Sequence, residues 1–336
     1  MTSMHIEQFL NEQQRRGLSP ATLKALRSDL LNFVAWWETT YGRPLSLPQL
    51  VARDVRRWQQ HRQQNDGVAP KTINRNLVSL RRLCQWAVDQ GILPDNPATE
   101  VGEIHQETLS PRFLPKEAVD ALLRAPRTLA DIRLRLRDQA LLALLVYAGL
   151  RSQEVRDLQL RDVDLDGGAI TVRRGKGSKA RRVPLHSEAQ TALAHYLGEV
   201  RCPVGFPAVG SEMEREPFLI GLRRTVAGHP MRAGIQTRVI RKRVKHLGQI
   251  AAAELQAAAQ KTADLQQAQQ LRDWARQVTH VSPHQLRHSL ARRLLQNGAQ
   301  LPEVQRILGH SRLATTGMYL LPSAMDLQQA IERAGV

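Results

Sequence analysis

At 336 residues the chain is long enough for two domains and at least one sizeable core. Hydrophobic content of 42% and charged content of 24% are ordinary for a soluble globular protein, and the longest apolar run, Ala140 to Leu150, is too short to cross a bilayer. Forty-eight Lys and Arg against 31 Asp and Glu leave a net charge of +17, which favours a polyanionic partner, most simply nucleic acid.

A solubility bias would give the same total, but the distribution is uneven. Residues 1–105 hold 13 Lys and Arg against 10 Asp and Glu, whereas the remainder hold 35 against 21. The basic residues are interleaved with apolar ones, as on a folded binding surface, rather than massed in blocks as in a disordered tail. The N-terminus lacks the basic-then-apolar pattern of a secretory signal. Cys84 and Cys202 have no CxxC or Cys/His spacing, so neither a disulfide framework nor a zinc site is expected, and a cytoplasmic location is. Cys84 falls within a helical apolar pattern and reads as a small core residue.

The first hundred residues read as helices. Ser19-Pro20 pairs an N-cap with a first-turn proline, ahead of Leu23, Leu26, Leu30, Phe33, Val34 and Trp37 at helical spacing, and Gly42 supplies a stop. A second amphipathic stretch covers Leu50 to Gln64. A third begins near Pro70, with Ile73, Leu77, Leu80, Leu83 and Val88 on its apolar side. Lys71, Arg75, Arg81 and Arg82 lie between those apolar positions. That stripe suits a phosphate backbone and equally a solvated helix face.

Leu93-Pro-Asp-Asn-Pro97 breaks the pattern, and the residues up to Pro115 have little periodicity, which marks a linker. Beyond it, Lys116–Arg124 is expected as a short helix and Ile132–Gly149 as a longer, buried one. Asp164 to Gly168 reads as a turn, Ala169–Arg173 and Arg181–Leu185 as short strands, and the GKGSK segment between those strands as a loop. From Gln236 onward the pattern returns to helix. It includes a long Ala/Gln-rich stretch in which Leu255, Ala258, Leu265, Ala268, Leu271 and Ala275 suggest one amphipathic helix.

Five stretches carry chemistry-bearing side chains, and each alone also fits an ordinary structural role. In Ala148-Gly-Leu-Arg151-Ser-Gln-Glu154 the guanidinium fork of Arg151 can hold two phosphate oxygens, with Glu154 placed to orient it. A salt-bridged surface arginine is the bland alternative. In Gly175-Lys176-Gly177-Ser178-Lys179 the glycines permit close backbone approach, so Lys176 can reach a groove or a reacting group. Lys179 and Arg181 beside it are candidate DNA contacts. The GxxxxGK[ST] spacing of a P-loop is missing. In Pro283-His284-Gln-Leu-Arg287-His288, His284 and Arg287 share one helix face. Leu308-Gly309-His310 presents an imidazole from a tight turn, and Tyr319, one of four tyrosines, follows nine residues later.

Taken in order, GLR, GKG on a hairpin, HxLRH, LGH and then a tyrosine resemble the tyrosine recombinase family, which includes phage integrases and Xer-type enzymes. The resemblance covers nearly the whole chain. It implies a fold that is mainly α with a small antiparallel β-sheet (α+β). An N-terminal helical core-binding domain over 1–100 would be joined by a linker at 101–113 to a catalytic domain at 114–336. A helical insertion lies near 251–277 and a tail helix at 323–334.

By the same resemblance, Arg151 and Arg287 would grip the non-bridging phosphate oxygens and Tyr319 would be the nucleophile. His284 would take its proton, His310 would hydrogen-bond the phosphate, and Lys176 would protonate the leaving 5′-oxygen. No metal, ATP or other cofactor is implied. The implied partners are double-stranded DNA with specific recombination sites and a homotetramer on that DNA, with an accessory protein or a second recombinase as further candidates, and no membrane.

Two departures stand out. Tyr319 is followed by Leu320-Leu321 where many relatives have Thr-His, which bears on the subfamily rather than on activity. Ala251–Arg276 is longer than the usual link before HxLRH. It could contact another protomer or an accessory protein, or simply pack on its own domain. A type IB topoisomerase, and a DNA-binding relative without activity, remain as competing classes. Site-independent supercoil relaxation would favour the first, and failure to form a covalent DNA adduct the second.

Overall fold

A computed structural model describes residues 2–105, 113–173, 180–222 without 204, 206 and 209, and 233–309. Lys176, Lys179, His310, Tyr319 and the expected tail helix at 323–334 lie outside the described residues. Two compact units emerge, Met1–Leu109 and Ser110–Val336.

The first unit holds α1 (Thr2–Arg15), α2 (Pro20–Tyr41), α3 (Ala52–Gln64) and α4 (Pro70–Asp89). The Ser19 hydroxyl accepts the Thr22 N–H at 3.2 Å, which satisfies one of the orphan donors at the start of α2. At the other end Gly42 takes φ +62° and its N–H closes on the Glu38 carbonyl at 2.9 Å. The apolar stripe of α2 packs on α3 through an edge-to-face pair, Phe33 on Trp58, with ring centroids 5.4 Å apart. Cys84 is a buried, free core thiol, as its helical setting predicts.

On α4, Lys71, Arg75 and Arg82 are exposed, and helical geometry puts them on one face. Arg75 also donates to the buried carboxylate of Asp29 on α2 at 2.7 Å, and Ser79 Oγ donates to its other oxygen at 2.8 Å. Arg81 points elsewhere. Its guanidinium donates to the backbone carbonyls of Ala98 and Val101 and tethers 98–103 to α4. Asn74 exchanges two hydrogen bonds with the backbone of Ile104, at 2.8 and 2.9 Å. The described part of the segment expected as linker is therefore docked on α4 through side-chain-to-backbone bonds, which helical periodicity does not register.

The second unit is built around α6 (Ile132–Val146), whose Leu141, Leu142, Leu144, Leu145 and Val146 are wholly buried. Against it pack α5 (Lys116–Arg124), α8 (Ser187–Tyr196), α9 (Thr237–Lys261) and α11 (Pro283–Gln296). Among the described residues the other α-helices of this unit are α7 (Ser152–Asp157), α10 (Leu265–Thr279) and α12 (Leu301–Leu308). A three-stranded antiparallel sheet, β1 (Val163–Asp164), β2 (Ala169–Val172) and β3 (Arg181–Pro184), lies in that order, with Ala169 opposite Pro184 and Val172 opposite Arg181. The two-residue β1 has too short an alternation to be legible as a strand. The turn into β2 is closed by the Asp164 carboxylate, which accepts the Gly167 N–H at 2.7 Å.

The Ala/Gln-rich stretch is two helices rather than one. The Asp264 side chain accepts the N–H groups of Gln266 and Gln267, at 2.8 and 3.1 Å, so it caps a new helix and breaks the run at 262–264. α9 and α10 fold back on each other through small buried residues, Ala251, Ala252 and Ala259 on one and Ala268 and Ala275 on the other. At Gly248 a Cβ would lie 2.4 Å from the Val278 carbonyl oxygen, so only glycine allows this approach. α9 packs on α5 as well, where Arg124 bonds Glu254 at 2.8 Å. The apolar face of the insertion is thus buried in its own unit. Ala258 is exposed, off that face, and Leu265 is 85% exposed at the tip of the hairpin.

Candidate active site

The site starts from how α6 ends. Tyr147 closes its last turn, and Gly149 at φ +60° reverses the chain, so that the Leu150 N–H returns to the Leu144 carbonyl at 3.1 Å. A Cβ on Gly149 would lie 2.7 Å from Leu290 Cδ2 and 2.9 Å from Leu308 Cδ2, so glycine is needed for packing as well as for its dihedral angle. The reversal places Arg151 at the start of α7, with its backbone N–H on Glu154 Oε2 at 2.8 Å and its Nη1 on Glu154 Oε1 at 2.9 Å. Arg151 Nη2 also reaches the Gly309 carbonyl at 3.3 Å. One third of the Arg151 side chain remains exposed, so the guanidinium is oriented but still open to a ligand.

Glu154 is the anchor. Its side chain is 4% exposed, and Arg181 on β3 grips both carboxylate oxygens at 2.9 Å each. Burial pushes its pKa upward. The hydrogen bond and charge of Arg181, with the N–H and charge of Arg151, outweigh that and hold the carboxyl below its ordinary range.

α11 brings the third arginine. Ser282 caps it, Pro283 opens it, and Arg287 is 1% exposed with its Nη groups on the carbonyls of Gly149 and Leu308. Arg287 Nη1 lies 3.9 Å from Glu154 Oε2. Farther along α11, Arg293 Nη2 donates to the Val146 carbonyl at 3.1 Å, which fixes this helix against the end of α6. Leu290 and Ala291 pack with Val304 and Leu308 of α12, whose C-cap Gly309 immediately precedes His310 in the chain.

His284 is exposed and meets His288 edge to face, with ring centroids 4.2 Å apart. Burial, with the nearby His284 and Arg287, pushes His288 down to about 4, so it is neutral at physiological pH. His284, Arg151 and Arg287 line one cleft of about 590 Å³ together with Ser282, Arg241 and Lys245.

Of the residues singled out from the sequence, Arg151, Glu154, Arg181, His284 and Arg287 therefore converge, and the stripe on α4 belongs to the other unit. Sequence reasoning missed Arg241 and Lys245, one turn apart on α9. The available signal was the density of charge in TRVIRKRVKH, five Lys and Arg within ten residues. It also placed Arg181 on DNA, whereas that side chain is 10% exposed and turned inward onto Glu154.

Comparison with known proteins agrees with this arrangement. The sequence model of the phage integrase family matches residues 112–324, and that of the phage integrase N-terminal SAM-like domain matches residues 6–91. The chain is 32% identical to the tyrosine recombinase XerD of Pseudomonas aeruginosa over 324 residues, covering 94% of this chain and 91% of that one. It is 31% identical to the tyrosine recombinase XerC of Xanthomonas campestris pv. campestris over 322 residues, covering 94% and 83%. In fold it resembles the XerH site-specific recombinase bound to a palindromic difH substrate, with a TM-score of 0.66 at 19% identity, covering 96% and 82%. It also resembles the Tn1549 transposon integrase in complex with transposon right-end DNA, with a TM-score of 0.64 at 17% identity, covering 98% and 99%. The family-model matches to both units, with relatives above 30% identity over 94% of the chain, place this chain in the tyrosine recombinase family of phage integrases and Xer-type enzymes.

Proposed function

We propose that this protein is a site-specific DNA recombinase that cleaves and rejoins duplex DNA through a covalent tyrosyl intermediate, with Arg151, Lys176, His284, Arg287, His310 and Tyr319 as its catalytic residues. The observation that carries the reading is the cleft where Arg151, Arg287 and His284 meet, with Glu154 behind them. A phosphodiester is an anion that repels nucleophiles. Arg151 and Arg287 offset that charge and stabilise the five-coordinate transition state. The Tyr319 oxygen attacks phosphorus, the P–O5′ bond breaks, and a 3′-phosphotyrosyl link and a free 5′-hydroxyl result.

A phenol with a pKa near ~10 is largely protonated at neutral pH, so its proton needs an acceptor, which we assign to His284. Lys176 donates a proton to the leaving 5′-oxygen, and His310 hydrogen-bonds the phosphate. One phosphoester bond replaces another, so the exchange conserves bond energy. A 5′-hydroxyl from a partner strand then reverses the step, and two such rounds pass through a four-way junction.

The helical unit with Lys71, Arg75 and Arg82 on one face of α4 supports a second DNA-contacting domain, so that the two domains would clamp the duplex. A homotetramer on cytoplasmic DNA, alone or with an accessory protein or a second recombinase, is the assembly we assign. Nicked suicide duplexes built from repeats in the DNA flanking the gene test the reading. Wild type should form a covalent adduct and Tyr319→Phe should not. An adduct that survives this substitution would overturn the nucleophile assignment, and relaxation of supercoiled DNA irrespective of site would favour a topoisomerase.

A further inference from the structure

We propose that Arg181 is a positioning residue that fastens three active-site segments to one carboxylate, rather than a DNA contact. This rests on the recombinase reading above.

All three guanidinium nitrogens of Arg181 are engaged inside the protein. Nη1 and Nη2 donate to Glu154 Oε1 and Oε2, both at 2.9 Å, and Nε donates to the Ile307 carbonyl at 3.1 Å. Its side chain is 10% exposed and, unlike Arg151 and Arg287, it does not line the cleft. It also lies flat on Gly309. A Cβ there would sit 2.8 Å from Arg181 Nη1 and 2.9 Å from its Cδ and Cζ, and Gly309 has φ +63°.

The chain positions of these partners give the arrangement its meaning. Arg181 opens β3, five residues after Lys176 and two after Lys179. Ile307 and Gly309 end the run that leads directly into His310. Glu154 also holds the backbone N–H and the Nη1 of Arg151, and Arg151 Nη2 reaches the Gly309 carbonyl. Arg181 thus ties β3, which follows Lys176 in the chain, the turn before His310 and the segment bearing Arg151 to one buried anion. The planar fork that matches a carboxylate with two parallel bonds belongs to arginine alone, and a lysine ammonium supplies charge without that geometry. Three arginines surround one carboxylate, since Arg287 Nη1 lies 3.9 Å from Glu154, so the cluster keeps a positive excess toward the cleft.

The test compares Arg181→Lys, Arg181→Gln, Glu154→Gln and the double variant R181Q/E154Q in the full-length protein. The probe is a nicked duplex on which wild type forms a covalent adduct. DNA affinity and its salt slope should stay within about twofold of wild type for Arg181→Lys and Arg181→Gln, while the single-turnover rate of adduct formation falls on the order of 100-fold. Arg181→Lys should not rescue the rate although it keeps the charge and the aliphatic stem, and as the gentler change it keeps the test valid if Arg181→Gln does not fold. The double variant should be no slower than the slower single, because both changes disable one constellation.

Three results would overturn the proposal: a weakened affinity with a reduced salt slope in Arg181→Lys, an unchanged adduct rate, or strictly additive losses in the double variant. Absence of any adduct with wild type would instead count against the recombinase reading itself.

Discussion

Arg243 on α9 reaches across to Asp138 on α6 and donates both Nε, at 2.9 Å, and Nη2 to a carboxylate that has no exposed surface. Arg137, itself 4% exposed, holds the other oxygen at 2.7 and 3.0 Å. This buried triad fixes α9 to the central helix, and Arg241 and Lys245 of the same helix line the candidate active-site cleft. Replacing Asp138 by Ala leaves two guanidiniums facing each other without their anion. Breaking a buried pair in this way costs about 3–5 kcal/mol, so Asp138→Ala should lower the urea midpoint steeply. A midpoint within experimental error of wild type would show that water screens the triad.

Gly149 answers to both dihedral angle and packing. Alanine there meets Leu290 and Leu308 and must hold φ +60°. Such a left-handed residue costs roughly 1–3 kcal/mol before any repacking. The Gly149 carbonyl also receives Arg287. Gly149→Ala should therefore lose stability in urea titration and lose adduct formation by more than the unfolded fraction explains. Parallel losses of the two would make the effect purely one of folding.

His288 gives a pH dependence of defined sign. Its folded pKa of about 4 lies below the unfolded value near ~6.5, so the unfolded chain binds more protons between those limits. Stability from keeping this ring neutral is present in full above pH ~6.5 and is lost as pH falls toward 4. Urea melts of wild type and His288→Gln at pH 7.5 and pH 5 check this. The pH 5 loss should be smaller in the variant, and equal losses would place the ring in a solvated setting.

Arg241 and Lys245 should act through charge. If each neutralises one phosphate, Arg241→Gln and Lys245→Gln should each flatten the plot of log binding constant against log salt by about 1. The weakening should be similar on specific and unrelated duplexes, as read by fluorescence anisotropy. A slope unchanged by both substitutions would remove α9 from the DNA surface.

Much of this was legible before folding. Ser19-Pro20 and Gly42 announce α2 because caps act within one turn, and Lys116–Arg124 is bounded as its local pattern predicts. The order of GLR, GKG, HxLRH, LGH and Tyr319 pointed to the family because these short motifs are local in the chain and can be read without the fold. The break at 262–264 was not legible, since it depends on one aspartate cap within a run of good helix formers.

For a charged side chain the sequence determines its presence and sign, and the tertiary structure decides what it faces. Arg75, Arg81 and Arg181 all read as basic positions suited to DNA. Folding leaves Arg75 on an exposed face, binds Arg81 to two backbone carbonyls and locks Arg181 on Glu154. The reason is desolvation: once a guanidinium is buried it must find an internal anion or carbonyl, and residues distant in the chain supply it.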